Sequence, residues 1–352
     1  MRSVLTKYLT GAVMAAAVCL WAGPAFGQAK ITMDDGRSLT IGGGLRTSFR
    51  TTETGPDTGD YNQDILLDSV RLYFNAQVAK DLQVEFNTDY GQPDSDLRVL
   101  DAVVKYTPSP YFNVWMGRHL PPSDRANLAG PYFANAYDYP GLVSRYPAIF
   151  AGRDNGVMVN GEVSGGTFKY AGGVYDGAPN VLGTPNSMLW ATRVVYNVLD
   201  PESGYYNNGT YYGDKKVLAI GLAAQHQANV VDVAGTPGDF TGVNVDVLFE
   251  TKLPSAGVVT LEGAAYDYDL DGAPGDGQAY LATAAYLFPQ TVGVGRLQPE
   301  VRYQKFSDDS AIDAALNYVI HGHNARLSAV YTRTGPDGAR ENQFTIGTQF
   351  QF

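Results

Sequence analysis

The chain has 352 residues, among them 40 glycines, 24 tyrosines and one cysteine, and its formal net charge is −11. That acidic balance argues against a nucleic-acid partner. A lone cysteine, Cys19, leaves no disulfide framework and no cysteine-built metal centre.

Residues 1–27 read as a secretory signal peptide. Arg2 and Lys7 precede an apolar run from Leu9 to Trp21, and Ala25-Phe26-Gly27 offers a small-x-small cleavage site. The run is too short to span a bilayer, and no later window holds ~20 unbroken apolar residues. Residues 28–352 are expected to form one domain, because no linker or composition shift divides them. Setting Arg2 and Lys7 aside leaves 23 of the 25 Lys+Arg against 36 Asp+Glu, a balance of −13.

From residue 38 onward, strand-like segments about ten residues long recur, each with period-2 alternation. In 38–50, Leu39, Ile41, Leu45 and Phe49 share a face opposite Arg46 and Arg50. In 69–79, Val70, Leu72, Phe74, Ala76 and Val78 oppose Arg71, Tyr73, Asn75 and Gln77. In 82–90, Leu82, Val84, Phe86 and Tyr90 oppose Gln83, Glu85, Asn87 and Asp89. Further segments fall near 98–107, 112–118, 155–163, 167–175, 188–198, 217–227, 240–250, 257–268, 278–288, 295–306, 311–320, 324–333 and 342–352. The count is about sixteen. The last segment, "ENQFTIGTQFQF", sets Phe344, Ile346, Phe350 and Phe352 against Thr345, Gly347, Gln349 and Gln351.

Connections are expected to alternate in length. Short turns fall at 80–81, 107–111, 164–166, 252–256, 289–293 and 321–323. Longer polar loops fall at 51–67, 91–97, 119–153, 176–187, 228–239, 269–277 and 334–341. Segment 199–216 breaks the rule, being long where a short turn is due. Loop lengths sorted by rim, with an even strand count, predict an all-β transmembrane antiparallel barrel whose apolar parity faces lipid and whose polar parity faces a lumen. A one-residue slip in 69–79 would turn Arg71 to lipid, at ~2–4 kcal/mol for a basic residue at mid-membrane. Tyr90, Tyr106, Phe112, Tyr175, Tyr196, Tyr268, Tyr303 and Tyr331 lie near strand ends, where interfacial girdles form.

The polar parity predicts a pore lining of Arg46, Arg50, Arg71, Lys105, Lys169, Arg193, Arg302 and Arg326. Glu85, Asp89, Asp101, Glu162, Asp246, Glu250, Glu262 and Glu300 share it. Such a wall suits a water-filled channel, which ~16 strands leave open and 8 do not. The longest connection, 119–153, carries Arg118 at its root, then Asp124, Arg125, Asp138, Arg145 and Arg153. Its aromatic residues need burial, so this third loop is expected to fold into the lumen and form the constriction.

Segments 68–91, 100–122 and 152–180, the last reading "GRDNGVMVNGEVSGGTFKYAGGVYDGAPN", resemble hairpins of the phosphate-selective porin O/P family. The terminal Phe352 likewise resembles the C-terminal aromatic signature of bacterial outer-membrane barrels. The resemblance implies a homotrimer of sixteen-stranded barrels in outer-membrane lipid, each passing small hydrophilic solutes or inorganic anions, with Arg118, Arg125, Arg145 and Arg153 as the anion-facing group. The balanced lumen departs from that family's basic funnel.

Weaker signals are Asp267, Asp269 and Asp271, which open like a calcium loop but reach Gln278 where a bidentate Glu is due, and the pair His321 and His323. No G-x-S-x-G, P-loop or H-E-x-x-H occurs, so neither an enzyme nor a cofactor is expected. The alternative class is a non-conducting barrel acting as a structural or partner-binding scaffold.

Overall fold

In a computed structural model the chain is described over residues 29–33, 36–56, 58–91, 96–145, 152–336 and 338–352. The expected leader lies outside the described residues. Strands follow in the order β1 (Ala29–Thr32), β2 (Ser38–Glu53), β3 (Tyr61–Ala79), β4 (Leu82–Gly91), β5 (Asp96–Ser109) and β6 (Phe112–His119). After helix α1 (Arg125–Phe133) come β7 (Asp154–Val163), β8 (Phe168–Tyr175), β9 (Leu189–Asn197), β10 (Val217–Val233), β11 (Thr236–Lys252) and β12 (Val258–Asp269). The rest are β13 (Gly277–Leu287), β14 (Thr291–Val292), β15 (Gly295–Phe306), β16 (Asp309–His321), β17 (Ala325–Pro336) and β18 (Glu341–Gln351).

Each long strand pairs antiparallel with the next, and β18 returns to β2 from Gln343↔Thr52 to Gln351↔Gly44. β1 only extends the ladder at the start of β2, and β14 folds back on β15. The remaining 16 strands close the ring. Closure gives every ladder N–H and C=O a partner, so the sheet has no open edge.

Alternation sets the faces as expected. On β9, Leu189, Ala191, Arg193, Val195 and Asn197 point inward, while Trp190, Val194 and Tyr196 are exposed outward. On β18, Thr345, Gly347, Gln349 and Gln351 are buried inside and Phe344 is exposed outside. Register shifts break the period in several ladders, two of them as bulges that skip one residue well inside a strand. Asp68 is skipped between Ser69 and Leu67, and Leu100 between Asp101 and Val99. The first turns Asp68 inward as well as Ser69, where its carboxylate accepts from Ser48 and Tyr137.

The expected sorting of loop lengths needs correction. Segment 228–239 is a hairpin continued to a two-residue turn, Ala234-Gly235, both at positive φ (51° and 86°), the primed geometry that matches strand twist. Segment 51–67 is mostly strand, and residues 307–308 form a second two-residue turn on the rim where long loops were expected. Of the expected girdle residues, Tyr175 and Tyr268 face inward instead, bonded to His119 and to the Val143 carbonyl.

Candidate pore and the two segments that enter it

The connection 120–145 leaves β6 and lies inside the barrel. Its helix α1 is short and bent at Gly130 (φ 61°), just before Pro131. Two wall glycines let it seat flush. A Cβ on Gly44 of β2 would lie 2.8 Å from the Tyr132 ring, and one on Gly347 of β18 would lie 2.3 Å from the Tyr137 ring. Beyond the helix end, backbone carbonyls need donors, and wall side chains supply them. Arg326 donates to the carbonyls of Ala134 (3.1 Å) and Asn135 (2.6 Å), Arg302 to that of Asp138 (2.5 Å), and Gln349 to that of Tyr132 (2.8 Å). Arg46 donates to the Tyr137 carbonyl and lies over its ring, 4.2 Å from the centroid. Arg50 pairs with Asp138 at 3.1 Å.

A second segment enters from the opposite rim. Residues 198–216, between β9 and β10, turn into the lumen and meet the first. Glu202 forms a bidentate pair with Arg125 at 2.5 and 2.8 Å, both side chains only 1% exposed. Beside them Arg193 forks onto Asp246 at 2.6 and 2.8 Å, and the Arg125 backbone N–H donates to Asp246 at 3.2 Å. Burial alone would raise the Glu202 carboxyl. The Arg125 guanidinium and hydrogen bonds from Arg125 and Tyr211 outweigh it and hold Glu202 at about 2.

The wall grips this segment through a carboxylate. Glu250 of β11 accepts from the backbone N–H groups of Tyr211 (3.0 Å) and Gly213 (2.8 Å) and from the Thr210 hydroxyl (2.7 Å). Further bonds tie the two segments together: Gly209 N–H to the Phe133 carbonyl (2.9 Å) and Tyr205 hydroxyl to the Leu120 carbonyl (2.8 Å). His323, in the turn between β16 and β17, donates from Nε2 to the Thr210 carbonyl (2.9 Å). Its ring lies between Phe133 (5.2 Å) and Tyr212 (4.9 Å). Burial, with a smaller contribution from Arg326, lowers its pKa to about 4.

The other sequence-derived residues fall as follows. Arg71 pairs with Asp89 (3.0 Å), Lys105 with Glu85, and Arg153 with Asp101 (3.3 Å). Arg302 also pairs with Asp313 at 2.6 Å. Lys169 donates to Asn207 (2.8 Å), Glu162 accepts from Gly204 N–H (2.6 Å), and Glu300 accepts from Asn317 (2.9 Å). Glu262 is half-buried, with no hydrogen bond or ion pair among the described residues. Asp124 accepts from Ser144 and Tyr266. The arginines grouped as a constriction cluster do not converge. Arg118 follows Met116 on the outward parity of β6 and donates to the Val99 carbonyl, while Arg145 lies 3.9 Å over the Phe306 ring. Arg125 and Arg153 are spent on carboxylates. The expected water-lined wall is instead largely covered by the two inserted segments.

The calcium candidate is also undone. Asp267 and Asp269 project outward from β12, whereas Asp271 takes the Asp239 N–H, and no metal-binding cluster of three occurs among the described residues. His321 is exposed and His323 turns inward, so the two do not form a pair of ligands. Sequence reasoning missed Glu202 and the seats at Gly44 and Gly347. The signal for the first was available: an overlong turn carrying Tyr205, Tyr206, Tyr211 and Tyr212, rings that have to be buried somewhere.

No protein-family model and no curated protein matches the chain. Among solved structures it is similar to an anion-selective porin from Comamonas acidovorans, with 15% identity and TM-score 0.60 over 90% of this chain and 100% of that one. It is also similar to OmpF of Salmonella typhi in complex with daunomycin (12%, TM-score 0.61, 92% and 100% covered). A third is the trimer form of OmpT, an outer membrane protein of Vibrio cholerae (16%, TM-score 0.58, 90% and 99% covered). At these identities the likeness establishes the fold, the closed antiparallel barrel of outer-membrane porins.

Proposed function

We propose that the chain, exported by residues 1–27 and folded over 28–352, is an outer-membrane porin that passes small hydrophilic solutes passively. In this reading it is a homotrimer, catalyses no reaction and needs no cofactor. One observation carries it: a closed barrel whose lumen receives a helix-bearing loop held by wall arginines at fixed distances. Such a loop sets a size limit, and the charges around it set a field. Anions are favoured over cations, on the motif resemblance and the likeness to an anion-selective porin. Phosphate is not singled out, because Arg125 and Arg153 are neutralised by Glu202 and Asp101, and Arg118 and Arg145 lie elsewhere.

Planar-bilayer recording of the purified protein tests this. Expected are conductance steps grouped in threes and a reversal potential toward chloride in a KCl gradient. Silence at every voltage overturns it. The covered wall favours a second reading, a non-conducting barrel that serves as a scaffold, and silence would select that one.

A further inference from the structure

Beside residues 204–205, a cavity of about 490 Å³ opens between the inserted segment and the inner faces of β5 to β9, at the rim with the 110–111 turn. Its size falls in the range of small-ligand pockets. We propose that it is a binding subsite for a small uncharged polyhydroxyl molecule of the size and chemistry of a hexose. The site rests on the reading of the lumen as an aqueous passage, which lets such a solute reach it.

The charges of the lining cancel. Glu162 and Lys169 face each other across the β7–β8 ladder, and Arg193, the remaining charged group, is forked onto Asp246. An anion arriving here meets Glu162 as well as Lys169, and a cation meets the same two, so neither sign is favoured. Both groups are also tied to the inserted segment, Glu162 by the Gly204 N–H (2.6 Å) and Lys169 by the Asn207 amide oxygen (2.8 Å). What each still offers a ligand is a spare lone pair or N–H, which suits a hydroxyl better than a zwitterion.

Hydrogen-bonding capacity of both kinds remains. The indole N–H of Trp115 and the side-chain amide N–H₂ of Asn160, each in a residue only 7% exposed, have no partner in the protein. On the accepting side, the second carboxylate oxygen of Glu162 and the amide oxygen of Asn113 take no hydrogen bond among the described residues. A hydroxyl both donates and accepts, so neighbouring hydroxyls on one ring answer both sets. Pro108, Pro110 and Tyr205 give the cavity an apolar side, with Tyr205 edge-on to the indole at 5.1 Å. The C–H face of a pyranose ring fits such a surface, and an inorganic ion has nothing to place there.

The tryptophan in the cavity provides the readout. Of three tryptophans, Trp21 lies in the expected leader and Trp190 points outward, so Trp190→Phe leaves Trp115 as the reporter. Glucose titrated into that variant, in a sugar-free amine-oxide detergent, is expected to give a saturable change in Trp115 emission. Benzoate and leucine, the anionic and zwitterionic probes, are expected to give none. Glu162→Gln and Asn160→Leu are each expected to weaken glucose binding about tenfold. Equilibrium dialysis of the three probes against the unsubstituted barrel gives the same comparison if a variant does not fold. No saturable glucose binding, benzoate or leucine binding as tightly as glucose, or folded variants that bind glucose like the parent would each overturn the subsite. Glucose binding by a protein that never conducts would keep the subsite and discard the channel. Conduction without glucose binding would do the reverse.

Discussion

The two inserted segments are held by opposite chemistries. Around 120–145 the wall presents guanidinium groups, and these take backbone carbonyls: Arg46, Arg302 and Arg326 each end on one or more. Around 198–216 the wall presents a carboxylate, and Glu250 takes backbone N–H groups. Most of these bonds end on backbone atoms, and side chains add to both grips: Glu250 also takes the Thr210 hydroxyl, and Arg46 lies over the Tyr137 ring. Formal charges answer one another at the wall, where Arg50 meets Asp138, and where the segments meet, at Arg125 and Glu202. That clasp is the point at which breaking one grip is felt by the other.

The largest expected effect is at the clasp. Glu202→Ala leaves the buried Arg125 with the Asn208 carbonyl and the Asp246 carboxylate at 3.9 Å, and losing the near partner of a buried pair costs up to ~3–5 kcal/mol. Chemical unfolding would measure that loss, and single-channel conductance is expected to rise as both segments loosen. Replacing both residues by Met is expected to restore much of the stability, which a double-mutant cycle would show. Gly347→Ala comes next. Its methyl would meet the Tyr137 ring at 2.3 Å, and overpacking of this kind costs ~1–3 kcal/mol. Higher conductance with 198–216 still resistant to protease would separate the two grips; equal loosening of both would show them to be one unit.

Acid reaches the two grips at different pH. His323 titrates near 6.5 in an unfolded chain and at about 4 when held against Thr210. The unfolded state therefore binds the proton first. The contribution of His323 to stability is present above 6.5 and is lost as pH falls toward 4. Glu202, held at about 2, contributes above its ordinary 4.5 and loses that contribution only as pH falls below it. Thermal stability is expected to decline first through the histidine window, and His323→Gln is expected to flatten that step alone. The smallest effect is calcium removal. With Asp267 and Asp269 pointing outward, a chelator is expected to leave the melting temperature unchanged in a thermal scan.

The staves were readable in the sequence because one face meets apolar surroundings and the other does not. All of 69–79, 188–198 and 342–352 carry that contrast. It fades where strands run past the apolar band: Asn62, Gln63 and Asp64 of β3 continue the ladder with polar residues on both faces, so 51–67 resembled a loop, and in 228–239 a register shift between Gln227 and Val231 interrupts the alternation. The outward place of Arg118 was legible from its parity with Met116. The lumen's contents were less so. Which carbonyl Arg326 would hold, or which glycine Tyr137 would cover, depends on a path folded across many strands, and period-2 patterning carries no record of it.

The seat of Tyr137 has a consequence for the order of assembly. Its hydroxyl reaches the Thr47 carbonyl of β2 and the Thr348 carbonyl of β18, and those two threonines face each other across the junction of first and last staves. That landing place does not exist until the end of the chain has found the beginning, a contact of long sequence separation and so a late one. A nascent barrel therefore stays wide until it is sealed, and the ring's completion is what allows its own narrowing.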